Sequence, residues 1–120
     1  MLVVDDETEV RLVLREFLAG RGYEVTVVES GAEAIAAVEK EKPDVVLLDV
    51  AMPGMDGVET LKRIVARHPT LPVIMVTANA DIVVTSQLLA LGASDYIPKP
   101  FDLEYLDQAV TIQVSAGQDR

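Results

Sequence analysis

Five times along its length the chain passes from a short apolar run into a stretch with helical periodicity. The runs are "MLVV", "YEVTVV", "DVVLLD", "VIMVT" and "SDYI". Between and after them lie amphipathic segments. From Glu7 to Ala19, apolar residues recur at Val10, Val13, Leu14, Phe17 and Leu18, which predicts a helix. The stretch Gly20–Gly22 closes it. Ser30 and Glu33 have the spacing of a capping box ahead of Ile35 and Val38, and Pro43 ends that helix. Val58, Leu61, Ile64 and Val65 mark a third helix. Ile82 to Leu91 form a fourth, closed by Gly92, and Asp102 caps a fifth carrying Leu103, Leu106, Val110 and Val114. Strands that alternate with helices imply a parallel sheet covered on both faces. The third and fourth runs are continuously apolar, as strands buried on both sides are. Crossovers in such sheets are right-handed, and the functional crevice lies beyond the carboxyl ends of the strands.

A length of 120 residues allows one domain. We assign residues 1–114 to it and 115–120 to a polar tail that begins a linker. Half of the residues are hydrophobic, so a core can form without metal or disulfide staples. The chain has no cysteine, which fits a reducing compartment. No apolar run approaches the roughly 20 residues that span a bilayer. The opening "MLVVDD" turns acidic too soon for a secretory signal. These features point to the cytoplasm and away from membranes. The formal net charge of −10 repels phosphate backbones, so direct nucleic-acid binding is not expected. A cation or a basic partner is.

The strand ends concentrate chemistry. The first run delivers Asp5 and Asp6, the third Asp49, the fourth Thr77, and Lys99 follows the fifth. Singly, each has an ordinary explanation. Asp5 or Asp6 can cap a helix, Thr77 can end a β-branched strand, and Lys99 can be a surface lysine. Together they place three carboxylates, a hydroxyl and an ammonium in one crevice. Like charges about 4 Å apart repel by roughly 4 kcal/mol under a near-surface dielectric. A hard divalent cation offsets this, and Mg²⁺, with few protein ligands and an affinity for phosphate oxygens, suits the set. Asp49 then reads as a nucleophile held on a rigid strand. Lys99 neutralises phosphoryl oxygens and Thr77 hydrogen-bonds one of them.

The segments "VVDDE", "LLDVAMPGMDG", "VTA" and "SDYIPKPF", in this order, resemble the receiver domain of bacterial two-component response regulators over nearly the whole chain. The resemblance implies a flavodoxin-like (βα)5 fold with strand order 2-1-3-4-5. It implies that Asp49 is the phosphoacceptor, phosphorylated by a sensor histidine kinase or a phosphotransfer protein. It also implies that Asp6 and Asp49 ligate Mg²⁺ directly, that Asp5 acts through water, and that the Ala51 carbonyl completes the set. Lys99 and Thr77 become the pair that senses the phosphoryl group, Tyr96 the aromatic switch, and the Lys99–Pro100 peptide cis. Ala51 and Asn79 take the positions that flank the attacking water. Such a domain is a phosphoacceptor switch, assisting its own phosphorylation and dephosphorylation, rather than an enzyme.

Three other functions fit less well. A haloacid-dehalogenase-type phosphohydrolase needs a second acid two residues after the nucleophile, where this chain has Ala51. A nucleotide or flavin binder needs a phosphate-cradling loop where this chain has "DDETEV". A site without activity has no reason to retain all five groups. His68 and the methionines Met52 and Met55 read as ordinary surface and packing residues.

The fourth helix, "DIVVTSQLLALG", has β-branched residues in its first turn and no charge after Asp81. Val84, Leu88 and Leu91 are expected to face the sheet. Ile82, Thr85 and Leu89 are expected outward, beside Tyr96 and Phe101, as a face for an output domain, a partner protein or a second copy on phosphorylation. The absence of Lys and Arg there disfavours the salt-bridged dimer of winged-helix regulators.

Overall fold

A computed structural model of the protein describes residues 1–50, 56–78 and 82–118, with side chains to residue 115. The five apolar runs become β1 (Leu2–Val4), β2 (Thr26–Val28), β3 (Val46–Asp49), β4 (Val73–Thr77) and β5 (Asp95–Pro98). The helices are α1 (Thr8–Gly20), α2 (Gly31–Lys40), α3 (Gly57–Arg67), α4 (Ile82–Ala90) and α5 (Leu103–Gln118). The strands pair in parallel in the order β2-β1-β3-β4-β5. This is the order the resemblance implied. Strand β2 is shorter than its apolar run, but Tyr23 and Val25, just before it, still pack inward.

Alternation along the strands divides the core in two. Leu2, Val4, Val46, Leu48, Val73 and Met75 point to one side, where α2, α3 and α4 cover them. Val3, Leu47, Ile74 and Ile97 point to the other, under α1 and α5. Strands buried on both faces have no room for polar residues, which accounts for the unbroken apolar runs of β3 and β4.

Local signals set the helix ends. Ser30 Oγ accepts from the Glu33 N–H at 3.2 Å, while the Glu33 carboxylate reaches back to the Glu29 N–H rather than to that of Ser30. Asp56 caps α3 by accepting from the Glu59 N–H at 2.8 Å, and Asp102 accepts from the Glu104 N–H at the same distance. Gly22 and Gly92, past α1 and α4, have φ of +94° and +113°, a conformation that side chains resist.

Four expectations change. Val13 lies on the exposed rim of α1, because its direction falls about 90° from the middle of the buried stripe. Helix α5 continues to Gln118, past the boundary expected at 114. On α4, Thr85 is buried rather than outward, and Val83 is exposed in its stead. Around the helix Leu88 lies between Val84 and Thr85, about 60° from Thr85, so a helix that packs Leu88 most deeply against the sheet turns Thr85 in as well. Its hydroxyl donates to the Ile82 carbonyl at 3.2 Å, which removes the penalty of burial. Finally, Phe101 does not share a face with Tyr96. Tyr96 packs on the α2–α4 side of the sheet and Phe101 on the α1/α5 side.

A candidate phosphoacceptor and metal site

Parallel register brings the acids together. Val4 pairs with Leu48, so Asp5 and Asp49 leave neighbouring strands side by side. Both are buried, 2% and 4% exposed, whereas Asp6 faces solvent. Carboxylate oxygens of Asp5, Asp6 and Asp49 lie within 4.8 Å of one another. Such a set of hard oxygen donors fits Mg²⁺. Ala51 lies outside the described residues, as do Met52, Met55, Asn79 and Asp81.

Lys99 closes the site from the far edge. Its ammonium lies 3.1 Å from Asp5 Oδ2, 3.4 Å from Asp49 Oδ2 and 3.7 Å from Glu7 Oε1. Burial works to lower its pKa. The hydrogen bond to Asp5 and the charges of Asp49 and Asp5 outweigh that and hold it above the ordinary lysine value. The backbone steers Lys99 there. Thr77 pairs with Pro98, and the Lys99 N–H donates to the Thr77 carbonyl at 2.7 Å. The Lys99–Pro100 peptide is cis. Thr77 itself is buried at the end of β4.

Two supports gave little sign of themselves in the sequence. Gly57, the first residue of α3, donates its N–H to the Val50 carbonyl at 2.9 Å. A Cβ there would overlap the Asp49 carbonyl oxygen and crowd the Val50 backbone. The start of α3 is thus pressed against the strand end that carries Asp49. The other support is Arg11. Its side chain is 15% exposed and turns back from α1, donating to the Asp5 carbonyl at 2.8 Å and to Thr8 Oγ1 at 3.2 Å. An arginine one turn past two acids reads as a surface residue, so only its position behind Asp5 and Asp6 hinted at this role. His68 is more engaged than its sequence suggested. Its Nε2 lies 3.1 Å from Glu39 on α2, which also holds Arg67 at 3.0 Å.

A cavity of about 450 Å³ lies at the opposite end of the sheet, beside Leu2, Tyr23, Lys40 and Asp44. It is at the amino ends of the strands and apart from the carboxylates.

Residues 1–111 match the family model described as the response regulator receiver domain. The chain belongs to this family. Over 110 residues the receiver domain is 48% identical to the DNA-binding transcriptional regulator NtrC of Escherichia coli (strain K12), covering 92% of this chain but only 23% of that protein. It is 38% identical to sporulation initiation phosphotransferase F of Bacillus subtilis (strain 168), over 92% of this chain and 89% of that one. The crystal structure of the receiver domain of NtrX from Brucella abortus superposes with a TM-score of 0.90 at 32% identity, covering 95% of this chain and 97% of that one. The receiver domain thus spans about a quarter of the length of NtrC and most of the phosphotransferase. Among the described residues, no helix is long and apolar enough to cross a membrane.

Proposed function

We propose that this receiver domain takes a phosphoryl group on Asp49 from a phospho-histidine of a sensor histidine kinase or phosphotransfer protein. The observation that carries this reading is the buried Asp49 carboxylate at a strand end, 3.4 Å from Lys99 and clustered with Asp5 and Asp6. In the transfer, an Asp49 carboxylate oxygen forms a bond to phosphorus as the phosphorus–nitrogen bond of the donor breaks. The leaving imidazole keeps the bonding electron pair and is protonated. Lys99 stands where its charge meets the phosphoryl oxygens, and Thr77 offers them a hydroxyl from β4. Asp6 and Asp49 would hold Mg²⁺ directly and Asp5 through water. When bound, the ion supplies charge neutralisation between carboxylate and phosphoryl group. The domain is a phosphoacceptor that passes through two states rather than an enzyme that turns over an external substrate, and the cytoplasm is its place of action.

Mass spectrometry tests this with a small acyl phosphate as donor. One added phosphoryl group is expected with Mg²⁺ and none with chelator or in Asp49→Asn. Labelling of Asp49→Asn at the wild-type rate would rule Asp49 out.

The output is proposed to pass through α4. Ile82, Val83 and Leu89 are exposed there, and Tyr96 lies half-buried on the same side of the sheet. Phosphorylation draws Thr77 toward Asp49, Tyr96 turns inward, and this face docks an output domain, a partner protein or a second copy. Amide NMR with beryllofluoride as the phosphoryl mimic should move resonances from Ile82 to Tyr96. Shifts limited to the surroundings of Asp49 would mean a static helix.

A further inference from the structure

We infer that Arg11 is a positioning residue for the metal site, acting through the peptide that joins Asp5 to Asp6; this rests on the reading of Asp5, Asp6 and Asp49 as the Mg²⁺ ligands. The Asp5 carbonyl and the Asp6 N–H belong to one planar peptide unit. Before it, the chain is held by the sheet, since the Asp5 N–H donates to the Val28 carbonyl at 3.2 Å. The Asp5 side chain is held on both oxygens, by the Glu7 N–H at 2.9 Å and by Lys99 at 3.1 Å. Asp6 is different. It is exposed, and the direction of its carboxylate depends on the plane of the peptide that leads into it.

Arg11 sets that plane. Nη1 donates to the Asp5 carbonyl at 2.8 Å, and Nη2 donates to Thr8 Oγ1 at 3.2 Å while lying 3.6 Å from Glu29 Oε2. The planar guanidinium thereby links the β1–α1 turn to the first turn of α1 and to the loop after β2. A lysine places the same charge there but has no fork with which to reach these groups at once. Arg11 has a second, opposite influence. A cation this close to the carboxylates repels Mg²⁺. Positioning and charge therefore predict changes of opposite sign.

Calorimetric titration with Mg²⁺ alone separates them, using wild type, Arg11→Ala, Arg11→Lys and Asp6→Ala. Positioning predicts that Arg11→Ala and Arg11→Lys both weaken Mg²⁺ binding about tenfold, the low end for residues that orient metal ligands. At saturating Mg²⁺, both should take up beryllofluoride as the wild type does, because Asp49, Thr77 and Lys99 are intact. Thermal unfolding in chelator checks that each variant folds, and Arg11→Lys carries the test if Arg11→Ala does not. Tighter Mg²⁺ binding by Arg11→Ala with Arg11→Lys unchanged would overturn the inference in favour of charge alone. Unchanged affinity in both would overturn it too, as would loss of beryllofluoride uptake at saturating Mg²⁺, which marks general damage to the fold. If wild type and Asp6→Ala bind Mg²⁺ equally, the metal-site reading itself fails, and that result is distinct from the others.

Discussion

Helices α3 and α4 cover the same face of the sheet and are held there by different means. Helix α3 has a side-chain cap from Asp56, a glycine wedge against Asp49 and Val50, and buried Leu61 and Ile64. Its last turn reaches α2 through Arg67 and His68, which share Glu39. Helix α4 is nine residues long, has no charged side chain, and buries only Thr85 and Leu88 while exposing Ile82, Val83 and Leu89. Its β-branched first turn is worth about 1 to 2 kcal/mol less than one of good helix formers. Among the described residues, α3 is thus fixed from both ends, whereas α4 rests on the sheet through Thr85 and Leu88. On the proposed function, movement driven from Asp49 and Thr77 would follow the softer of the two.

The harshest way to break this contrast is Gly57→Ala. The added methyl has only backbone to push against, so the start of α3 must lift from β3. We expect a loss of about 3 kcal/mol in urea unfolding, together with weaker Mg²⁺ binding because Asp49 moves. Stability within 0.5 kcal/mol of wild type, on the order of the error of such measurements, would show that α3 is not wedged.

A smaller effect sharpens the picture of α4. Leu88→Ala should cost about 2 kcal/mol, at the low end for a buried leucine because a short helix can settle into the space. Leu89→Ser, its exposed neighbour, should stay within about 0.5 kcal/mol. Equal losses at the two positions would contradict the burial of one side of α4 alone.

The smallest effect at neutral pH concerns Lys99. Its pKa is raised in the folded protein, so its contribution to metal-free stability is complete below the ordinary lysine range. That contribution fades as pH climbs from about 10.4 through the raised value. Asp5 and Asp49 then face each other without their counter-charge. Hydrogen exchange in chelator should quicken first around β5 and α4 at high pH, with α3 protected longer. The reverse order would assign the softer role to α3.

The parts of this molecule that were legible in the sequence are those that repeat a simple period. Strand and helix positions followed from apolar spacing. The convergence of the candidate site residues followed from topology, since parallel strands present all their carboxyl ends at one edge, and Asp5, Asp6, Asp49, Thr77 and Lys99 each closely follow an apolar run. What spacing conveys poorly is direction on a short helix without charged residues. On α3, charged residues mark the outer face, whereas α4 has no charged residue to mark it, and Thr85, expected outward, turns in. Phe101 was misplaced because it lies beyond the last strand, where alternation no longer says which face a side chain joins. Gly57 and Arg11 act through backbone atoms of Asp49, Val50 and Asp5, and residue types carry no record of such contacts.

The division of the core by the sheet has a thermodynamic consequence. Residues such as Leu88 and Leu106 are buried in separate clusters, with a layer of backbone between them. Substitutions on opposite sides share no neighbours and will sum in their effect on stability, while pairs within one cluster, such as Leu61 with Leu88, will not. Substitutions in the cluster under α2, α3 and α4 therefore leave the packing beneath α1 and α5 untouched, and the acids lie at the sheet edge where the two sides meet.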